Sequence, residues 1–115
     1  MEQIEAHVRH MWDLYEKGDV EGYVAGFSPD AVLVPLAAGG REIHGHEQLR
    51  AYMAEQREER VVVQAVAHRF EVAGDQVTVR GSIRVRTPRA MSERRTAWRF
   101  TVRDGLVVRA EALAA

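Results

Sequence analysis

Apolar residues recur every three to four positions through the first sixty residues, then switch to every second position from Val61 onward. The first regime predicts three helices. Ile4, Val8, Met11, Trp12 and Tyr15 form one stripe over about residues 2–17, with Glu, Arg and His opposite. Gly18 can take the left-handed conformation that ends a helix, and Asp19 is a good N-cap for a short second one. In that helix Val20, Tyr23, Val24 and Phe27 share a face. Ser28-Pro29-Asp30 breaks it, and Ala31 to Val34, before Pro35, reads as a strand. Ala38-Gly39-Gly40 reads as a turn and Arg41 to His44 as a short returning strand. A third helix, about 46–59, turns Leu49, Tyr52, Met53 and Gln56 inward and ends in the solvated run Arg57-Glu58-Glu59-Arg60.

The second regime predicts two hairpins. A two-residue turn at Gly74-Asp75 pairs Val72 with Val77, Phe70 with Val79, His68 with Gly81, Val66 with Ile83 and Gln64 with Val85. Val62, Gln64, Val66, His68, Phe70 and Val72 then face inward, and Val61, Val63, Ala65 and Ala67 face outward. For the last two strands, about 92–102 and 106–113, Arg103-Asp104-Gly105 leaves two registers open. A two-residue Asp-Gly turn sets Arg109 and Glu111 beside Phe100 and Trp98. A three-residue loop with Gly105 in a bulge pairs Val102 with Leu106, Phe100 with Val108, Trp98 with Ala110 and Thr96 with Ala112. The second keeps the inner face apolar and sends Arg95, Arg99, Arg109 and Glu111 outward, so it is preferred.

At 115 residues, with 46% apolar and 29% charged residues, the chain reads as one domain, 1–115, with a single core. No apolar run approaches the ~20 residues of a membrane helix, and the polar start from Glu2 is unlike a secretory signal. The absence of cysteine excludes disulfides, thiol catalysis and thiolate metal sites, and fits a cytoplasmic address. A net charge of -1 gives no pull toward nucleic acid. The arginines at 84, 86, 89, 94, 95 and 99 lack interleaved aromatics and read as a solvated sheet face.

Gly18-Asp19, Phe27-Ser-Pro-Asp-Ala31, Val34-Pro35 and Ile43-His-Gly-His-Glu-Gln-Leu49, in that order and spacing, resemble the nuclear-transport-factor-2-like superfamily. The resemblance is to its SnoaL-like and ketosteroid-isomerase-like branch. It implies an α+β domain in which a curved, mostly antiparallel sheet forms a cone around about three N-terminal helices and a pocket. It also implies a homodimer formed through the sheet, in line with the apolar outer set from Val61 to Ala67. Against ketosteroid isomerase, the catalytic carboxylate falls at Val34, the oxyanion tyrosine at Met11 and the hydrogen-bonding acid at Thr96. Supporting pocket tyrosines fall at Phe27 and Met53. Proton abstraction beside a carbonyl needs a base and an aimed donor, so steroid isomerisation is not expected.

The predicted cavity is lined by Met11, Trp12, Tyr15, Phe27, Val34, Met53, Val66, Phe70, Trp98 and Phe100, with Tyr15, Gln64, His68, Arg94 and Thr96 as convergent polar groups. That lining suits an aromatic, terpenoid or polyketide-like ligand held by shape. His68 is the candidate for proton chemistry, with Tyr15 second; its structural alternative is to fill the space above Gly81. Three functions stay open: a small-molecule binder, an isomerase, cyclase or hydrolase-lyase using His68 or Tyr15, and an interaction module with a filled cavity. His44 and His46 flank Gly45, and His7 and His10 stand three apart, but neither pair sits in a His-Glu-x-x-His motif. No metal, cofactor, nucleic acid or membrane partner is expected.

Overall fold

A computed structural model describes residues 3–35 and 41–113 of the chain. The turn expected at Ala38-Gly39-Gly40 lies outside them. The helices are α1 (Gln3–Lys17), α2 (Val20–Ala25) and α3 (Gly45–Glu58). The strands are β1 (Phe27–Val34), β2 (Ile43–His44), β3 (Val62–Ala73), β4 (Gln76–Arg86), β5 (Met91–Arg103) and β6 (Leu106–Leu113). The six strands form one curved, unclosed sheet in the order β2-β1-β6-β5-β4-β3. Only β1 and β6 run parallel; every other pair is antiparallel. The expected α+β architecture is therefore present, with helices packed on the concave face.

The helical stripes pack as their periodicity dictates. Val8, Met11, Tyr23, Val24 and Leu49 are buried against Phe27, Val77, Val79 and Phe100. Asp19 caps α2 by accepting a hydrogen bond from the Gly22 N–H at 3.0 Å. Ser28-Pro29-Asp30 does not interrupt β1, which begins at Phe27; the disturbance is absorbed as a register shift between Phe27 and Val32 against β6.

Both hairpins differ from the registers expected of them: β3 carries one inserted residue, and in the last hairpin the extra residue sits at Val108 instead of in the loop. In β3 the pairing Val72 with Val77 and Phe70 with Val79 holds, but Arg69 then pairs with Arg80 and Ala67 with Gly81. His68 is the extra residue of a bulge, and the faces swap below it. Val63, Ala65 and Ala67 turn inward, opposite Val85, Ile83 and Gly81. Val62, Gln64, Val66 and His68 turn outward and are exposed. The physical reason is polarity. The straight register turns an amide and an imidazole inward, at about 1–3 kcal/mol each when buried unpartnered, whereas the bulge places half-buried Val63 and two alanines there instead. Glycine at 81 is what admits it, because a Cβ there would collide with the Val66 carbonyl oxygen.

In the last hairpin the turn is the two-residue one, with Asp104 and Gly105 at φ 52° and 76° and Arg103 paired with Leu106. The preferred three-residue loop is therefore not formed. A bulge at Val108 restores the facing that loop was chosen for: Val102 pairs with Val107, then Thr101 with Arg109, Phe100 with Ala110 and Trp98 with Ala112. Arg99, Arg109 and Glu111 share the outer face, and Glu111 lies 3.3 Å from Arg109 and 3.8 Å from Arg99.

Candidate functional site

The concave face and the helices enclose a cavity of about 110 Å³. Trp12, Tyr15 and Glu16 of α1, Tyr23 of α2, and Tyr52 and Gln56 of α3 form its helical wall. Val63, Ala65, Ile83, Trp98, Phe100, Ala110 and Ala112 form the sheet wall, and Leu33, Val34, Pro35 and Glu111 complete the lining. All three tyrosines and both tryptophans of the chain are in this lining. Trp12 is the hub of the apolar half, edge-on to Trp98 at 5.2 Å, Phe100 at 6.0 Å and Phe70 at 6.2 Å.

The polar half is a short chain of hydrogen bonds. The Tyr15 hydroxyl donates to Gln56 Oε1 at 3.0 Å, and Gln56 Nε2 donates to the Tyr52 hydroxyl at 3.1 Å. Tyr23 packs between Tyr15, tilted at 5.2 Å, and Phe27, edge-on at 5.1 Å between ring centroids. Burial raises all three phenol pKa values. That of Tyr15 rises despite the opposing Gln56 hydrogen bond, and that of Tyr52 is pushed up to about 12. Tyr23, the most deeply buried, is raised further still. At neutral pH these groups are uncharged hydroxyls. They can offer a proton or hydrogen bond to a ligand oxygen; they cannot serve as bases.

Of the residues expected here, Trp12, Tyr15, Val34, Trp98 and Phe100 are brought together. Met11 and Phe27 lie in the core instead, 3% and 1% exposed. Met53 lines a second, open hollow that adjoins the cavity past Tyr15 and Gln56. Phe70 packs outside the lining, with the Arg9 guanidinium 3.9 Å from its ring centre. Thr96 is buried, its hydroxyl donating to the Leu113 carbonyl at 3.4 Å, and Arg94 is exposed beside Ile83 on the open stretch of β5. Gln64, Val66 and His68 are corrected outright: the bulge places them on the convex face. There His68 Nε2 lies 3.4 Å from Ser82 Oγ, and no carboxylate bonds it among the described residues. The histidines weighed for metal bond elsewhere: His46 Nε2 donates to the Phe27 carbonyl at 2.8 Å and His7 Nε2 to the adjacent Gly26 carbonyl at 3.1 Å. Among the described residues no three His, Asp or Glu side chains group as ligands.

Tyr23, Tyr52 and Gln56 were missed as site residues, although each lies on a stripe read as inward. The available signal was that every tyrosine of the chain falls on such a stripe. Val63 and Ala65 were hidden by the bulge.

Residues 8–110 match the family model of the SnoaL-like domain. No curated protein matches the sequence. Among solved structures, an NTF2-like protein of unknown function from Burkholderia pseudomallei is similar over 100% of this chain and 92% of its own, at 19% identity and a TM-score of 0.88. TerC, co-crystallised with polyporic acid, is similar over 99% and 92%, at 22% identity and 0.86. A putative polyketide cyclase from Xanthomonas campestris is similar over 96% and 88%, at 13% identity and 0.83. At these identities the likeness shows the fold. Among the described residues no helix is long and apolar enough to cross a membrane.

Proposed function

The chain belongs to the SnoaL-like domain family, and on that premise we propose that it binds a small aromatic or polyketide-like molecule between its helices and the concave face of its sheet. One observation carries the reading: all the tyrosines and tryptophans converge on a single cavity of about 110 Å³. An apolar protein cavity of about 150 Å³ takes up benzene, so a ring entering this smaller one must displace lining side chains or extend toward the adjoining hollow. The sheet wall holds the ring by shape. The Tyr15–Gln56–Tyr52 chain orients it by hydrogen-bonding a carbonyl or hydroxyl oxygen.

The enzymatic alternative, an isomerase, cyclase or hydrolase-lyase, narrows to Tyr15 as a proton donor, because His68 faces away from the cavity. The volume also supports a different reading. It is below the ~300 Å³ at which drug-sized pockets begin, as befits an interaction module whose own side chains fill the hollow. Tryptophan fluorescence separates the readings, since Trp12 and Trp98 meet at the cavity wall. Titration with p-cresol gives a saturable change that Ala112→Phe abolishes. A response that does not saturate in the parent protein excludes the binder and favours the filled module. We further propose a homodimer through the convex face, where Val62 and Val66 are 43% and 56% exposed. A monomer mass in light scattering at micromolar concentration counts against it.

A further inference from the structure

The two longer helices end in the same hydrogen-bond motif, built on different residues. At the end of α1, the Gly18 N–H donates to the Tyr15 carbonyl at 3.1 Å and the Asp19 N–H to that of Leu14 at 3.0 Å. At the end of α3, the Arg60 N–H donates to the Arg57 carbonyl at 3.1 Å and the Val61 N–H to that of Gln56 at 2.9 Å. The motif requires a left-handed residue, and Gly18 and Arg60 supply it at φ 76° and 56°. Glycine takes that conformation freely, whereas a residue with a Cβ is strained in it. An arginine near a helix C-terminus complements the helix dipole, but Arg57 already does so in unstrained helical geometry. The dipole therefore does not account for Arg60 at a left-handed position where glycine is the better residue.

Gly18, Arg57 and Arg60 line the same open hollow of about 520 Å³. Tyr15, Glu16, Gln56 and Val63 line both this hollow and the aromatic cavity, so the Tyr15–Gln56 hydrogen bond stands as the partition between them. Elsewhere on α3, Arg50 is held by Glu21 at 2.9 Å. Among the described residues, neither Arg57 nor Arg60 makes a salt bridge. Two exposed guanidinium groups, without a salt bridge among the described residues, line a hollow that adjoins the apolar cavity, and guanidinium binds carboxylates and similar oxyanions through charge-assisted hydrogen bonds.

We infer that the molecule bound in the aromatic cavity carries an anionic group that passes Gln56 and is held by Arg57 and Arg60. This rests on the cavity being a binding site. Glu16, on the rim of the same hollow, opposes the anion and sets how strongly it is held.

A matched pair of probes tests it. 4-Phenylbutyrate and 4-phenylbutanol present the same ring and arm with a charged or a neutral end. Isothermal titration of the full chain is expected to show the acid binding roughly tenfold more tightly, the size of one charge-assisted contact. Arg60→Gly should reduce that preference while raising the thermal midpoint, because glycine relieves the left-handed position, and Arg57→Gln added to it should erase what is left. Glu16→Gln should widen the preference. Equal binding of the two probes by the parent protein overturns the anion subsite and leaves the cavity reading standing. A preference that survives Arg60→Gly combined with Arg57→Gln also overturns it. Failure of both probes to bind overturns the subsite and the cavity reading together.

Discussion

The two walls of the cavity are made of different chemistry. The helical wall carries most of the polar residues of the lining, Tyr15, Glu16, Tyr23, Tyr52 and Gln56, with Glu111 of β6 at the edge of the sheet. The sheet wall, from Val63 and Ala65 across Ile83 to Trp98, Phe100, Ala110 and Ala112, carries none. That division follows from two inserted residues. The bulge at His68 turns Gln64 away from the cavity, and the bulge at Val108 keeps Ala110 and Ala112, rather than Arg109, in its lining. Removing either would put polar groups on the concave sheet face. The comparison teaches that in this fold the sheet supplies shape and the helices supply recognition.

The most damaging way to break the contrast is to abolish the first bulge. A Cβ at position 81 meets the Val66 carbonyl oxygen, a backbone atom that cannot swing aside as a side chain can. Gly81→Val should therefore cost about 3 kcal/mol or more, or prevent folding, read as a fall in the urea midpoint. Gly81→Ala should already show much of the loss. A Gly81→Ala protein as stable as its parent would mean that β3 runs straight and that His68 faces the cavity after all.

A smaller effect is expected on the helical wall. Gln56→Leu removes the group that joins Tyr15 to Tyr52 and leaves the Tyr15 hydroxyl without its acceptor, at about 1–2 kcal/mol. It also takes away the bond that lowers the Tyr15 pKa, so that phenol ionises at still higher pH. Each tyrosine has a folded pKa above the unfolded value near 10. Their contribution to stability is thus fully present below about pH 10 and is lost as pH climbs through the folded values, Tyr52 at about 12. Ultraviolet absorbance should show no phenolate while the fold is intact near pH 10, and a combined rise when the protein unfolds in stronger alkali. A single tyrosine titrating near 10 in the folded protein would place that residue in water.

The same division governs what the sequence made legible. Helical period is robust to small errors, because a stripe at i, i+3, i+4, i+7 has no alternative face; Tyr15, Tyr23, Tyr52 and Gln56 were all placed inward. Strand period is fragile, since one inserted residue inverts everything beyond it. The turn at Gly74-Asp75 is the expected two-residue hairpin, yet counting from it misplaces Val63, Ala65, Gln64, Val66 and His68, while the turn at Asp104-Gly105 has two residues where three were preferred. Two local cues pointed to the first insertion. Gly81 sits mid-strand without a side chain to pack, and the straight register asked for two polar residues on a greasy face. Cavity volume, and the division into an aromatic cavity and an adjoining hollow, depend on rotamers that no periodicity encodes.

The smallest expected effect belongs to the residue that sequence reasoning ranked first for catalysis. His68 is the inserted residue of the bulge, exposed on the convex face, with one long contact of 3.4 Å to Ser82. Its imidazole neither fills space in the core nor reaches the cavity. Its chain neighbours Ala67 and Arg69 are held by pairing to β4, and alanine can adopt the conformation between them as well. His68→Ala should shift stability by no more than about 0.5 kcal/mol and leave p-cresol binding unchanged. The measurement doubles as a test of the sheet wall: a loss of binding several-fold or greater could arise only if the imidazole lay on the concave side, which would return Gln64 and Val66 there with it.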